Sequence, residues 1–208
     1  MKYQRILADR IILDLCGGTG AWSRPYLEAG YDVRNITLPD YDVRYYKPPN
    51  RVYGVLAAPP CTDFAISGVR WWKKKDKEKG LLEALSIIVA CLKIIELTKP
   101  RFWALENPVG RLPRYIGKYK YTFQPYEYGD PWTKRTCIWG EHNIPVKTPV
   151  EPCGKWVGGS ASGHKGIVDN PHFLPPDWIH RLPPSADRAT LRSITPPGFA
   201  RAFYEANR

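Results

Sequence analysis

Short apolar runs alternate with helical patterns along the first half of the chain. Three mostly apolar segments, and a fourth in which half the residues are apolar, are flanked by Gly, Pro or polar residues. The mostly apolar segments are Ile11 to Leu15, Val52 to Ala57 and Phe102 to Leu105, and the fourth is Tyr31 to Leu38. Runs of this length and composition predict buried β-strands. The chain is therefore expected to contain a sheet whose strands are connected by helices.

Helices are predicted where apolar residues recur at helical spacing, over residues 22–29, 80–97 and 197–207. The last of these is expected to pack back on the sheet. The polar stretch from Thr62 to Lys79 is too long for a tight connection, and we interpret it as a functional loop. Strands that alternate with helices predict the α/β class, with a doubly wound and mostly parallel sheet.

The composition changes in the last third of the chain. Prolines are concentrated between Pro145 and Pro197, with a run of Gly, Ser and Ala at 158–163. Such a stretch is typical of an irregular, loop-rich region. We therefore expect three parts: an α/β domain over 1–140, a small loop-rich region over 141–190, and a C-terminal segment over 191–208.

The charge of the chain points to an anionic partner. Its net charge is +11 at pH 7 and its pI is about 9.5, which favours nucleic acid over a merely basic soluble protein. The five cysteines are odd in number and lack paired spacing, which favours a reducing cytoplasm. No apolar stretch is long enough to span a membrane, and the N-terminal residues lack the apolar run of a signal peptide. We expect a soluble, cytoplasmic monomer without a membrane or obligate protein partner.

Polar chemistry follows three of the predicted strands. A Gly-rich turn with Gly17, Gly18 and Gly20 follows the first, Cys61 follows the third, and Glu106 follows the fourth. The carboxyl ends of parallel strands form one ligand-binding edge, so these residues are expected to share a cleft. Such a turn lets backbone N–H groups approach an anionic ligand, although a purely structural bend has the same sequence.

The turn does not fit a dinucleotide site, because Ser23 stands where Gly-x-Gly-x-x-Gly requires glycine. Asp40 and Asp42 follow the second strand, where a carboxylate accepts hydrogen bonds from ribose hydroxyls or an adenine amino group. The alternative is that both are solvated loop acids. The histidines and Cys153 match no compact set of metal ligands, so no metal is expected.

Cys61 and Glu106 are interpreted differently as a pair than as single residues. Alone, Cys61 is interpreted as a buried core thiol and Glu106 as an ordinary acid at a strand end. Together, after two strands of one sheet, they favour a nucleophile and a proton-holding acid. A thiol with a reference pKa of about 8.5 needs cations nearby to ionise, and Lys134 or Arg135 is the candidate.

Six segments follow one another in a characteristic order. They are Asp14-Leu15-Cys16-Gly17-Gly18-Thr19-Gly20, Asp42-Val43-Arg44, Pro59-Pro60-Cys61, Glu106-Asn107-Pro108, Tyr128-Gly129-Asp130-Pro131 with Lys134-Arg135-Thr136, and Thr195-Pro196-Pro197-Gly198-Phe199-Ala200. With these motifs the chain resembles the DNA (cytosine-C5) methyltransferases, and most closely the short single-domain versions carried by bacteriophages. The resemblance spans nearly the whole chain.

The resemblance implies a Rossmann-like fold that binds S-adenosylmethionine, without a metal. It also implies that Cys61 bonds to C6 of a flipped-out cytosine in DNA, that Glu106 holds the proton at N3, and that Lys134 or Arg135 contacts the base. A phage enzyme of this kind would protect DNA from restriction. The implied donor-binding residues are Asp14, Leu15, Cys16, Gly17, Gly18, Gly20, Asp40, Asp42, Val43, Pro59 and Thr195.

Several positions depart from the family pattern. Thr62 stands where the family usually has Gln after the nucleophile, and the segment Trp132-Thr133-Lys134-Arg135 is shorter than the usual Gln-x-Arg-x-Arg. The second strand ends in Thr37-Leu38-Pro39-Asp40 without the expected ribose-binding Glu, which leaves the ribose contact open. Two alternatives remain: a DNA-binding protein that does not catalyse, and an RNA cytosine-C5 methyltransferase. The region over 141–190 is short for target recognition, so long specific sites are not expected.

A basic, aromatic stretch follows the nucleophile. We expect it to contact DNA phosphates, with Trp71 or Trp72 as a wedge in the space that the base leaves. The alternative is a solvated lysine-rich turn over a packed pair of tryptophans. The candidate DNA-binding residues are Ser67, Arg70, Trp71, Trp72, Lys73, Lys74 and Lys75.

Overall fold

A computed structural model describes residues 10–152 and 177–208 of the chain. Within these residues six strands form one sheet in the order β2-β1-β3-β4-β6-β5. The first four strands are parallel, β6 is antiparallel to β4, and β5 is antiparallel to β6. The strands are β1 (Ile11–Leu15), β2 (Asp32–Ile36), β3 (Gly54–Ala57), β4 (Phe102–Pro108), β5 (Tyr121–Phe123) and β6 (Thr136–Trp139).

Helices cover both faces of the sheet, so the predicted α/β class with a mostly parallel, doubly wound sheet is confirmed. Three short 3-10 segments, Ile66–Trp71, Pro125–Tyr128 and Trp178–His180, accompany the α-helices in the described ranges. None of the helices in the described ranges is long and apolar enough to cross a membrane. The α-helices are α1 (Arg24–Glu28), α2 (Trp72–Lys77), α3 (Gly80–Thr98), α4 (Pro113–Ile116), α5 (Arg188–Ser193) and α6 (Pro197–Asn207).

Alternation along the strands divides the core into two layers. Leu13 of β1, Val55 of β3 and Leu105 of β4 face α3, where they pack against Ile88 and Ile94. Their neighbours along each strand point to the opposite face, because side chains of a strand alternate. This burial on both faces explains why the strands read as continuous apolar runs.

The second layer contains the aromatic side chains of α1 and α6. Phe199 of α6 stacks on Phe123 of β5, with ring centroids 3.7 Å apart. Trp22 contacts Phe199 and Phe203 of the same helix, and all four rings are buried. The prediction that residues 197–207 form a helix packed back on the sheet is therefore confirmed.

Strand β4 is longer than predicted, since it runs to Pro108 and not only to Leu105. Glu106 and Asn107 are thus strand residues, paired with Ile138 and Cys137 of β6. The sequence gives no sign of this extension, because it depends on β6 arriving from residues far along the chain. Strands β2 and β3 and helix α1 are each shorter than predicted, whereas α3 matches its predicted range to within one residue.

The interpretation of residues 62–79 as a loop is wrong, because most of that stretch is a 3-10 turn followed by α2. Ion pairs fasten these turns to the protein: Lys75 Nζ lies 3.2 Å from an Asp63 oxygen, and the Arg111 guanidinium pairs with Asp76 at 2.8 Å. Helix α5 begins at Arg188, inside the expected loop-rich region, and ends beyond it at Ser193, while residues 153–176 of that region lie outside the described part of the chain.

Gly110 provides a test of how the segment after Cys61 is held. Its backbone bridges to Ala65, and a Cβ atom there would overlap the backbone carbonyl of Phe64. We expect Gly110→Ala to lower the free energy of unfolding by about 2 kcal/mol, since the backbone must shift to admit the methyl group. Urea denaturation measures this.

The matched control is Gly68→Ala, where a Cβ would meet Thr62 O at an ordinary 3.6 Å. That variant should stay within about 0.5 kcal/mol of the natural chain. Equal stabilities for the two variants would show that the close approach at Gly110 is easily relieved.

Candidate active site

The Gly-rich turn after β1 is built on a buried carboxylate. Asp14 is fully buried, and its Oδ2 accepts a hydrogen bond from Ser23 Oγ at 2.5 Å at the start of α1. A Cβ at Gly17 would overlap the Asp14 carboxylate, so only glycine fits at that position. Asp14 therefore supports the turn from below.

The upper side of the turn is open. Gly18 has a positive φ of 53°, and no atom lies within 4 Å of where its Cβ would be. Asn35 Nδ2 on β2 donates to Gly18 O at 2.9 Å and fixes the turn. Cys16 and Gly20 also have positive φ, which turns the backbone sharply between β1 and α1. The arrangement leaves a shallow cradle of exposed backbone at the end of β1.

The acids after β2 differ in their surroundings. The Arg44 side chain forms two-pronged hydrogen bonds with Asp42, with Nη2 at 2.6 Å from Oδ2, and these bonds lower the Asp42 pKa. Arg44 also contacts Glu83 at 2.9 Å. Asp40 is exposed. Val43, which lies between Asp42 and Arg44 in the sequence, is buried.

One side-chain hydrogen bond joins the ends of β3 and β4. Asn107 Nδ2 donates to Pro59 O at 3.0 Å in a buried position. The Cys61 carbonyl in turn accepts the N–H groups of Phe64 and Ala65, each at 2.9 Å, which closes a tight turn after the thiol. The Cys61 turn is therefore held directly beside the residue pair Glu106-Asn107.

The thiol and the carboxyl group share an environment that disfavours charge. Burial raises the pKa of Cys61, and the Glu106 carboxylate raises it further. The charges of Lys134 and Arg192 act in the opposite direction on the same thiol. Burial likewise raises the pKa of Glu106, against the lowering effect of Lys134. The structure thus brings Cys61, Glu106, Lys134 and Arg192 into one site.

Lys134 and Arg135 point in different directions. Lys134 is buried, its Nζ donates to Ile194 O at 3.2 Å, and its backbone N–H donates to Gln124 Oε1 at 2.9 Å. Arg135 is exposed, and its charge lowers the pKa of Cys137, which faces α3 on the other side of the sheet. Lys134 is therefore the residue of the two that faces Cys61.

Three contributors to the site were absent from the candidates that the sequence gave. Arg192 comes from α5, inside a stretch expected to be irregular, so no periodic signal marked it. Asp130 Oδ2 accepts the N–H of Gly198 at 2.7 Å and thereby fixes the first turn of α6. Asn107 was part of a recognised motif, and its bond to Pro59 spans residues 48 apart in sequence. Thr195 is buried beside Ile194, the residue that Lys134 contacts.

The candidate DNA-binding residues form two groups. Ser67, Arg70, Trp71, Lys73 and Lys74 are exposed, and the Arg70 guanidinium lies 5.2 Å from the Trp71 ring centroid. By contrast, Trp72 is half-buried and Lys75 is paired with Asp63.

The two inward residues have structural contacts. Arg111 lies 4.7 Å over the Trp72 ring, and Lys75 Nζ also donates to Thr62 O at 2.8 Å. These contacts attach α2 to the segments that follow Cys61 and β4. Among residues 10–152 and 177–208, no group of three or more His, Cys, Asp or Glu side chains is arranged to hold a metal ion.

No protein-family model and no curated protein matches this chain in sequence. Among solved structures, a candidate DNA modification methyltransferase encoded within a prophage of E. coli is similar, with 15% identity and a TM-score of 0.45. The match covers 73% of this chain and 58% of that protein, so this chain spans less than two thirds of its length. An identity and a TM-score this low support no conclusion about function. The function of this chain must therefore be inferred from its own residues.

Asp14 should make the stability depend on pH. Burial raises its pKa from 3.8 to about 6, so between these values the folded chain binds more protons than the unfolded chain. The free energy of unfolding should therefore fall as the pH rises from about 4 to about 6, by about 3 kcal/mol from this group.

Urea denaturation of the natural chain and of Asp14→Asn at several pH values isolates this contribution, because all other groups are common to both. We expect the difference in unfolding free energy between the two proteins to change across that range. A difference that does not vary with pH would contradict the buried, proton-holding state of Asp14.

Lys134 should control the reactivity of the thiol. Burial and Glu106 raise the pKa of Cys61, and Lys134 lowers it. Lys134→Gln removes the lowering charge, so the pKa of Cys61 should rise further and its thiolate fraction should fall. We expect alkylation of Cys61 by iodoacetamide, followed by peptide mass spectrometry, to slow several-fold. Arg135→Gln is the matched control and should alkylate at the natural rate. Equal slowing in both variants would remove the distinction between the two cations.

Proposed function

We propose that this chain is a DNA cytosine-C5 methyltransferase that forms a transient covalent bond between Cys61 and C6 of a flipped-out cytosine. The observation that carries the proposal is the shared site of Cys61, Glu106 and Lys134 at the carboxyl ends of β3 and β4. A nucleophilic thiol, an acid that retains its proton and a cation are the three groups that such chemistry on a pyrimidine ring needs.

The raised pKa of Glu106 suits a proton donor. Because burial favours its neutral form, Glu106 can hold a proton toward N3 of cytosine while the Cys61 sulfur bonds to C6. The addition makes C5 nucleophilic. After C5 has been methylated, a general base takes the C5 proton, the C6–S bond breaks to regenerate the thiolate, and N3 returns its proton to Glu106.

Lys134 supports the same step from another side. Its charge favours the Cys61 thiolate, and its ammonium group is a hydrogen-bond donor for the O2 atom of the ring. Its bond to Ile194 O fixes the ammonium group on the segment before α6. The thiolate therefore depends on a cation that the rest of the fold positions.

The Gly-rich turn is the proposed donor site. Its open cradle at Gly18, the Asp14 Oδ1 atom that is buried without a hydrogen-bond partner, and Asp42, which follows the neighbouring strand β2, fit a ligand with amino, carboxylate and ribose groups. When bound, S-adenosylmethionine would supply an electrophilic methyl group. The other proposed contacts come from Leu15, Cys16, Gly17, Gly20, Asp40, Val43, Pro59 and Thr195, with no metal.

DNA is the proposed substrate because the chain is strongly basic and presents Arg70, Trp71, Lys73 and Lys74 on one exposed segment. C5 and C6 cannot be reached in a stacked duplex, so the base must be extruded at a cost of a few kcal/mol. Trp71 is the proposed wedge, since Trp72 is held by Arg111. Ser67 and Lys75 would border this surface.

The parts of the chain are proposed to have separate roles. Residues 1–140 would bind the donor and catalyse, residues 141–190 would form a minimal target-recognition region, and residues 191–208 would close the site. The enzyme would act as a monomer in a bacterial host and protect phage DNA from restriction. Digestion of modified and unmodified viral DNA by host nucleases tests that role, and equal sensitivity would contradict it.

The covalent step has a direct test. Cys61→Ser should abolish formation of 5-methylcytosine, and Glu106→Gln should lower its rate by about 10²- to 10⁴-fold, because a positioned acid contributes that much. Mass spectrometry of nucleosides from treated DNA and RNA measures both effects and identifies the substrate. DNA containing 5-fluorocytosine should trap the natural chain as a covalent complex, but not Cys61→Ser.

Cys137→Ala is the matched control, because this thiol faces α3 on the opposite side of the sheet. It should retain methylation and trapping when circular dichroism shows that it is folded. Full activity of Cys61→Ser would refute the proposal. Modification of RNA alone would favour the RNA enzyme, and DNA binding without any modified base would favour a non-catalytic binding protein.

A further inference from the structure

The segment from Trp178 to Ile194 forms a wall of the site that the family motifs do not cover. Trp178 packs edge to face against Trp132, with ring centroids 6.0 Å apart. At the other end of the segment, Ile194 O accepts the hydrogen bond from Lys134 Nζ. These two contacts hold α5 against the loop that carries Lys134.

Arg192 lies in the last turn of α5 and is half-buried. Its Nη2 atom is 3.5 Å from Nδ1 of His180, and its charge reaches the Cys61 thiol, where it lowers the pKa. Burial lowers the pKa of His180, and the charges of Arg192 and Lys134 lower it further, so the three basic side chains are close together. The ring of His180 is consequently neutral near pH 7.

The two cations of this group, Lys134 and Arg192, have no paired carboxylate among the described residues. Among the described residues no carboxylate forms an ion pair with Lys134 or Arg192. Asp177, the acid that acts on His180, is paired with Arg181 at 2.7 Å. Glu106 is the remaining acid of the site, and its burial favours the neutral form. A half-buried guanidinium without a counter-ion costs free energy that an anionic ligand would recover.

We infer that Arg192, together with His180, binds the phosphate group of the nucleotide whose base lies against Cys61. A guanidinium offers a pair of N–H donors that match two phosphate oxygens. The neutral imidazole, with Nδ1 toward Arg192, presents Nε2–H as a further donor. The inference rests on the proposed function for the identity of the base, but the phosphate contact itself does not require methyl transfer.

Protection of Cys61 from iodoacetamide tests this inference with small probes. Deoxycytidine 5′-monophosphate should protect the thiol at lower concentrations than deoxycytidine does. The advantage of the monophosphate is the ratio of the two concentrations that protect half of Cys61, deoxycytidine over monophosphate. In Arg192→Gln this ratio should fall about tenfold, as expected for the loss of one charge-assisted hydrogen bond. Protection by deoxycytidine should stay the same. Peptide mass spectrometry gives the extent of alkylation at Cys61 alone.

Arg188→Gln is the matched control, since it removes the same charge one turn earlier on α5 and should keep the full advantage of the monophosphate. Arg192→Lys keeps a charge without the two-pronged geometry and should recover part of it. If Arg192→Gln fails to fold, as judged by circular dichroism, the lysine variant provides the comparison.

Equal protection by the two probes in the natural chain would overturn the inference, as would equal losses in Arg188→Gln and Arg192→Gln. A failure of the proposed function would look different. In that case DNA would acquire no 5-methylcytosine, while the monophosphate would still protect Cys61 better than deoxycytidine.

Discussion

The hydrogen bond from Asn107 Nδ2 to Pro59 O is the contact on which the geometry of the site depends. Backbone pairing aligns β3 and β4 only as far as Ala57 and Leu105. Beyond that point the Asn107 amide joins the two segments closest to Cys61 and Glu106, and the backbone bonds from Ile66 N–H to Val109 O and from Arg111 N–H to Phe64 O join them farther on. The Cys61 turn on one chain and Glu106 on the other therefore stay in register without a continuous ladder of backbone bonds.

Burial has opposite consequences for the two reactive groups. It raises the pKa of the Glu106 carboxyl group, which suits a proton donor, but it also raises the pKa of the Cys61 thiol, which disfavours a nucleophile. Cations within reach of the thiol act against this effect of burial, although the pKa of Cys61 remains raised. They come from Lys134 and Arg192, which lie on parts of the chain far from Cys61 in sequence.

Local patterns predicted the central elements well. Strand β1 and helices α3 and α6 were found within a residue of their bounds, because each has a long apolar run or a clear helical period. The structure has Cys61 after β3 and Glu106 near the end of the neighbouring β4, and the roles of both residues stay a prediction. The small strands β5 and β6 were not predicted, since the position of β6 between β4 and β5 arises from tertiary pairing alone.

The sequence could not predict which cation faces Cys61. Lys134 and Arg135 are adjacent and chemically alike, and only the direction of the chain entering β6 separates them. The loop interpretation of residues 62–79 failed for a related reason, because the ion pairs that order α2 involve Asp63 and Arg111 in separate segments. A sequence pattern does not reveal an ion pair whose two residues lie far apart in the sequence.

The bond from Gly198 N–H to Asp130 bears on the order in which the protein matures during synthesis. Asp130 precedes Lys134 by one short turn, and α6 cannot occupy its place on the sheet until its residues have left the ribosome. A nascent chain that already displays Cys61 and Glu106 would still lack the settled loop that delivers the ammonium group. Until α6 packs on the sheet, the Lys134 charge that lowers the pKa of Cys61 would not be held in place.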